Sequence, residues 1–413
     1  MAESRAINFG AGPCALPHSV LEEASKSLLN FNGTGIGIAE ISHRSKEFGQ
    51  VISEFESLIR EQLQVPSTHV VLFSQGGGTG QFSSIVLNLL ARHRLLYPSL
   101  SPEERYLDYV VTGSWSKSAA DEAKRLGGGN VKVVVDSRES SKDGKSFDNI
   151  PTHDKYEFSK NPAVVYYCEN ETVQGVQFDV DPSSSTSFPY HLLPKDDPDL
   201  TSPLIPLVAD YSSSFMSRPI PRLADHAVIF AGAQKNIGPA GLTVMIVRKD
   251  CIVDVDAAAK LGAAPVPKIL SYKTLYDGKN VPNTPATISL YISKLVLQDM
   301  KEKGGLQYFG ELSKIKAKKV YDALKRGEDK GGVFEGKIKE GNGRSLMNVV
   351  FGINGEGAEA RFLEGAERRG LKGLKGHRSV GGIRVSLYNA LSEKDADTLV
   401  QYMDEFVEAE QAR

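Results

Sequence analysis

From residue 69 to about residue 250 the chain alternates short apolar runs with longer stretches whose apolar residues recur at helical spacing. His69–Phe73 is β-branched and apolar, a glycine-rich segment follows, and Gln81–Leu90 then repeats its apolar positions every three or four residues. Tyr109–Thr112, Val131–Val135, Ala163–Cys168, Leu204–Asp210, Ala227–Phe230 and Leu242–Val247 read as strands, and Ser116–Leu126 as a helix. Strands that are apolar throughout and interleaved with helices predict an α/β fold, its mostly parallel sheet covered by helices on both faces. Ligands of such sheets bind beyond the carboxyl ends of the strands.

Two polar stretches, Ser137–Asn161 and Asp181–Pro203, interrupt the alternation and read as surface excursions. After Pro282 the pattern changes. Ala286–Lys303 and Lys314–Lys325 have the spacing of long helices, Asn348–Ile353 and Ile383–Leu387 of strands, and Ala396–Glu408 of a closing amphipathic helix. A chain of 413 residues exceeds the roughly 250–300 at which one hydrophobic core stops growing. The expected division is an N-terminal arm over 1–16 that packs with the small domain, a large domain over 17–285, and a smaller C-terminal α+β domain over 286–413, joined to the large one by the long helix.

Composition removes several classes of function. Lys and Arg total 49 against 51 Asp and Glu, a net charge of −2, so the basic surplus of a nucleic-acid binder is missing. Cys14, Cys168 and Cys251 are too scattered for a disulfide framework or a zinc site, and no metal is expected. No apolar run reaches the ~18 residues of a membrane helix, and the first residues have no apolar signal region. These features predict a soluble cytoplasmic protein.

Two nucleotide-binding decoys fall away. Gly33-Thr-Gly35-Ile-Gly37 misplaces its third glycine and follows a helix-like segment, and Gly144-Lys145-Ser146 has Glu139 where a P-loop needs its first glycine. Ala231-Gly-Ala-Gln234-Lys235-Asn-Ile-Gly-Pro-Ala-Gly241 is more informative. It places Lys235 on a loop between two strands, while Asp210 ends a neighbouring strand. A lysine and an aspartate at adjacent strand ends suit pyridoxal phosphate chemistry, in which the lysine bonds the aldehyde and the carboxylate keeps the pyridine nitrogen protonated. The blander reading is a turn lysine and a strand-end cap; the small residues around Lys235, which let the backbone approach a flat ring, weaken it.

Ser74-Gln-Gly-Gly-Gly78-Thr79-Gly80, between a strand and a helix, offers free backbone N–H groups to a phosphate, or is simply a tight turn. Trp115, the chain's one tryptophan, follows a strand directly, so it either fills core or stacks on a cofactor ring. Two basic groups, His43-Arg44 and Lys372, Lys375, His377, Arg378 and Arg384, are solvated surface or an anion site; the glycines around the second favour a ligand loop.

With these pieces in place the chain resembles the phosphoserine aminotransferases, a class V, fold-type I family of pyridoxal phosphate enzymes. The motifs that carry the resemblance run in family order from residue 8 to about 390. They are Glu40-Ile-Ser-His43-Arg44-Ser, Gln75-Gly-Gly-Gly78-Thr79-Gly-Gln-Phe82, Asn170-Glu-Thr172, Ala209-Asp210-Tyr-Ser-Ser-Ser214, Gln234-Lys235-Asn-Ile-Gly-Pro-Ala-Gly241, Pro282-Asn283-Thr284-Pro-Ala-Thr287 and Gly376-His377-Arg378-Ser-Val-Gly-Gly-Ile-Arg384. Gln234, where cysteine desulfurases usually have histidine, separates the chain from that group.

The resemblance implies that Lys235 is joined to the cofactor aldehyde, that Asp210 is the pyridinium partner, and that Trp115 stacks on the ring. It implies that Thr172 bonds the ring hydroxyl region and that Gly78, Thr79 and Gln234 hold the phosphate, with Asn283 and Thr284 supplied by a second subunit. Arg384 would grip the substrate α-carboxylate; His43, Arg44, His377 and Arg378 would take the distal phosphate or γ-carboxylate, some of them across a homodimer interface. The implied reaction exchanges amino groups between L-glutamate and 3-phosphohydroxypyruvate, giving O-phospho-L-serine and 2-oxoglutarate, in L-serine biosynthesis. Thr79 departs from the arginine of many bacterial members, which removes a cation from the distal pocket. A serine–pyruvate or alanine–glyoxylate transaminase, or a non-catalytic cofactor-binding scaffold, is the alternative.

Overall fold

The computed structural model describes residues 5–194 and 204–413. Its centre is a seven-stranded sheet of β1 (His69–Ser74), β2 (Tyr106–Val111), β3 (Asn130–Asp136), β4 (Pro162–Cys168), β5 (Leu207–Asp210), β6 (His226–Gly232) and β7 (Thr243–Arg248), in the order β1-β7-β6-β5-β4-β2-β3. Every pairing is parallel except those of β7, which runs antiparallel to both β1 and β6. The residues of β4, β5, β6 and β7 are all buried, because apolar clusters cover both faces of the sheet. This is the mostly parallel, two-face-covered sheet that the continuous apolar runs predict.

The register matters for the site. Asp210 pairs with Cys168 on one side and Phe230 on the other, and Thr243 of β7 faces both Ser74 and Gly232. The carboxyl ends of β1, β4, β5 and β6 therefore meet on one edge of the sheet.

Beyond this sheet, a three-stranded antiparallel sheet of Phe334–Gly336, Asn348–Ile353 and Ile383–Ser386 packs with the helices Gly305–Asp329, Ala358–Arg368 and Glu393–Gln411 around a separate core. Ile7–Asn8 pairs in parallel with Leu371–Lys372, and Phe9 lies inside that core. The helix Thr287–Glu302 buries Leu290, Val296, Leu297 and Met300 in the core of the larger sheet.

Several elements differ from the sequence expectation. The helix after β1 spans Gly77–Leu96 and begins inside the glycine run, and the helix expected over 314–325 extends over Gly305–Asp329. Leu204–Asp210 shortens to β5, since Arg92 and Arg248 take the Leu204 carbonyl out of the ladder. Ser137–Asn161 is no loose excursion: Ile150, Tyr156 and Ser159 are buried, and Ser159 bonds the buried Asp108 carboxylate through N and Oγ, each at 2.7 Å. In the second stretch Phe188 stacks on Tyr167 with ring centroids 4.2 Å apart. The part of that stretch over 195–203 lies outside the described residues.

Candidate active site

A cavity of about 210 Å³ opens at the carboxyl ends of β1, β4, β5 and β6. Its walls include Gly78 and Thr79 from the glycine turn, Trp115, Thr172, Asp210, and the pair Gln234 and Lys235. Seven of the residues singled out from the sequence thus share one enclosure.

Lys235 is 9% exposed, and its Nζ donates to Thr172 Oγ1 at 3.0 Å. Burial pushes the ammonium down to about 8; Asp210 pulls it back up, while Arg384 presses it down further. A buried lysine in this range is still mostly ammonium at pH 7, but it gives up its proton far more readily than a free lysine, as bonding an aldehyde or moving a proton requires. Asp210 is 6% exposed, and its Oδ1 accepts from Ser212 N at 2.8 Å. Burial raises its pKa despite that bond and the Lys235 charge. A cationic ring nitrogen placed against it would reverse the shift.

The glycine turn is shaped for an anion. Gly76, with φ of 100°, caps the helix Gly77–Leu96 without a side-chain hydrogen bond. A helix leaves its first N–H groups without internal partners, here those of Gly77, Gly78 and Thr79, which carry the positive end of the helix dipole. Phosphate therefore fits this end of the cavity, an amine and a carboxylate fit the other, and the half-buried Trp115 supplies an aromatic wall. Together they suit pyridoxal phosphate.

Arg384 reaches the site electrostatically, through its effect on Lys235, and its Nε is buried with no hydrogen-bond partner. His377 is held below the usual imidazole value by burial and by the charges of Arg384 and Arg378, so the two arginines and a mostly neutral imidazole form one group. Arg378 is exposed. The other expected residues are not gathered there. His43 and Arg44 line a separate cavity of about 920 Å³, together with Lys279, Asn280 and Val281. Asn283 is exposed two residues further on, its Nδ2 donating to the carbonyl of Thr284 at 3.4 Å.

The structure adds Gly12 and Cys14, which no motif includes, and gives a place to Asn170 of the Asn170-Glu-Thr172 motif. The arm brings Gly12 to 3.4 Å from the Lys235 stem (measured from an added Cβ), and Cys14 bonds the backbone carbonyls of Gln234 and Lys235. Asn170 lines the cavity and donates to Ser213 Oγ at 2.7 Å and Asn348 Oδ1 at 2.8 Å, which ties the cavity wall to the three-stranded sheet. No local pattern announces these pairings, which join residues 43 to 221 positions apart.

Residues 6–189 and 200–399 match the model of the family described as aminotransferase class-V. The chain is 41% identical over 409 residues to a probable phosphoserine aminotransferase of Caenorhabditis elegans, covering 98% of each. The fold superposes on phosphoserine aminotransferase from Bacillus circulans subsp. alkalophilus with a TM-score of 0.83 at 34% identity, covering 98% of this chain and 99% of that one. Against the PLP-bound phosphoserine aminotransferase of Trichomonas vaginalis the TM-score is 0.79 at 36% identity, covering 97% and 99%.

Proposed function

The chain belongs to the class-V aminotransferase family, and within it we infer that it catalyses the reaction of the phosphoserine aminotransferases, exchanging amino groups between L-glutamate and 3-phosphohydroxypyruvate. The products are O-phospho-L-serine and 2-oxoglutarate, and the setting is L-serine biosynthesis. Pyridoxal phosphate is the cofactor; when bound, it supplies an aldehyde for the amino group and a ring that withdraws electrons from the carbon beside it. The observation that carries this reading is the buried Lys235–Asp210 pair in a cavity closed by a glycine turn, beside the unpartnered Arg384 Nε.

The chain's own residues divide the work. Gly78, Thr79 and Gln234 would hold the phosphate, with Trp115 on the ring face and Asp210 keeping the ring nitrogen protonated. Thr172, which holds the Lys235 amine at 3.0 Å, would also bond the ring hydroxyl region. The amine of Lys235 then removes and returns the proton at the substrate Cα. Arg384 would orient the α-carboxylate, and His377 and Arg378 the distal acid.

His43, Arg44, Asn283 and Thr284 act, in this reading, on a partner's site within a homodimer. Their displacement from Lys235 and the cavity that His43 and Arg44 share with Lys279–Val281 support that assignment; closed two-fold pairing would present the same patch on both subunits. A cytoplasmic setting is supported by three free thiols. The division at 1–16, 17–285 and 286–413 is supported by the separate C-terminal core, with Thr287–Glu302 as the joint.

Borohydride reduction of the loaded protein tests the assignment. The cofactor mass should appear on the peptide containing Lys235; a label on another lysine contradicts the reading.

A further inference from the structure

The helix that carries Trp115, Ser114–Leu126, begins without a cap of its own. Its N-cap is Gly113, which has no side chain to satisfy the N–H groups of the first turn. Glu171 supplies what is missing from 55 or more residues away. Its Oε2 accepts from Trp115 N at 2.9 Å, and its Oε1 accepts from Ser116 N at 2.8 Å and Ser116 Oγ at 2.6 Å. Gln174 completes the clasp, accepting from Ser114 N at 3.1 Å and donating to Ser114 Oγ at 2.6 Å. Glu171 and Ser116 are both 0% exposed.

The fit is tight. A Cβ at position 113 would stand 2.4 Å from Glu171 Cδ, so only glycine admits the carboxylate. Glu171 also sits between two residues that line the cavity, Asn170 and Thr172, and Thr172 holds the Lys235 amine. One short segment therefore touches the tryptophan helix at one residue and the lysine at the next. Burial, opposed by these hydrogen bonds, pushes the Glu171 carboxyl up to about 7, a cost that a mere surface cap would not carry.

We propose that Glu171 is a positioning residue, whose carboxylate clamps the first turn of the helix Ser114–Leu126 and so holds the Trp115 ring against the cofactor cavity. This rests on the reading of that cavity as the pyridoxal phosphate site. The clamp itself is testable without cofactor, because Trp115 is the only tryptophan in the chain and reports alone in fluorescence.

The experiment compares the wild type with Glu171→Gln and Gly113→Ala, the second of which displaces the carboxylate without removing its charge. In the cofactor-free proteins both variants should shift the Trp115 emission and increase its quenching by acrylamide. Titration with pyridoxal phosphate, followed by visible absorbance, should show affinity weakened roughly 10- to 150-fold, the range for one charge-assisted hydrogen bond. In a Trp115→Ala background, Glu171→Gln should cost little more, since both changes remove the same contact. Should Glu171→Gln fail to fold, Ser116→Ala, which removes the hydroxyl bond to Glu171 and those that Ser116 Oγ accepts from Thr112 N and Gly113 N but leaves the carboxylate its two backbone bonds, should shift emission and affinity in the same direction by less. Unchanged emission, or penalties that add in full in the double variant, overturn the proposal. Failure of the cavity reading shows up separately, as a borohydride label away from Lys235.

Discussion

Arg384 offers the sharpest perturbation of the substrate side. Its guanidinium is half-buried, its Nε has no hydrogen-bond partner, and it has no ion pair among the described residues. A buried cation left unpaired is costly unless a ligand pairs with it, and a carboxylate can do so with two parallel bonds. Each such bond is worth about 1.5–3 kcal/mol, so losing both removes about 3–6 kcal/mol, or roughly 10²–10⁴ in kcat/KM. Arg384→Ala should therefore impair phosphoserine, glutamate and alanine as amino donors to a similar degree, because each has an α-carboxylate. Arg378→Ala should cost roughly 10- to 150-fold for the two acidic donors and leave alanine, a poor donor from the outset, nearly unchanged. Steady-state kinetics with the three donors decides between them. A second readout needs no substrate: Arg384 holds the Lys235 pKa down, so in Arg384→Ala the pH dependence of Lys235 labelling in the cofactor-free protein should move upward. An Arg384→Ala loss confined to phosphoserine, or an unmoved labelling profile, would refute the reasoning.

Two further outcomes are expected. Lys316 is 0% exposed, donates to the carbonyls of Tyr388 and Leu391 at 2.8 Å each, and is pushed by burial down to about 7. A lysine whose folded pKa is depressed contributes stability that is complete above its unfolded value and lost as pH falls towards 7. The stability gap between wild type and Lys316→Met in urea should thus widen from pH 7 to pH 9.5, by about 1.4 kcal/mol per pH unit at most; a constant gap would show that Lys316 stays charged. Asn283→Ala and Thr284→Ala should weaken pyridoxal phosphate binding roughly tenfold or more while leaving Lys235 of the same subunit untouched. Sedimentation that finds a fully active monomer with tight cofactor would contradict the shared-site assignment.

Legibility in the sequence followed locality. Lys235, Asp210, Trp115 and the glycine turn could be placed because each stands at the end of an apolar run, and a parallel sheet brings such ends together. The helix Lys46–Leu63 was equally open to reading, with Phe48, Val51, Ile52, Phe55, Ile59 and Leu63 on one face, although the strand–helix pattern starts only at residue 69. The first turn of Gly77–Leu96 was hidden, because Gly77, Gly78 and Gly80 have poor helix propensity and tertiary packing overrides it. Glu171 was hidden for another reason. It lies inside the Asn170-Glu-Thr172 motif, but nothing local assigns it a partner, and only the fold brings Gly113 against it. In the proposed reading the roles of His43, Arg44, Asn283 and Thr284 depend on assembly, which hydrophobic patterning along one chain does not encode.

The central claim is the choice of amino donor. The most direct measurement compares O-phospho-L-serine with serine, alanine and aspartate as donors to 2-oxoglutarate, using purified protein loaded with pyridoxal phosphate. The group of Arg384, Arg378 and the His377 imidazole predicts that phosphoserine exceeds the three others in kcat/KM by at least the roughly 10- to 150-fold of one charge-assisted bond. Equal or better turnover of serine or alanine would contradict the account and favour a serine–pyruvate or alanine–glyoxylate transaminase.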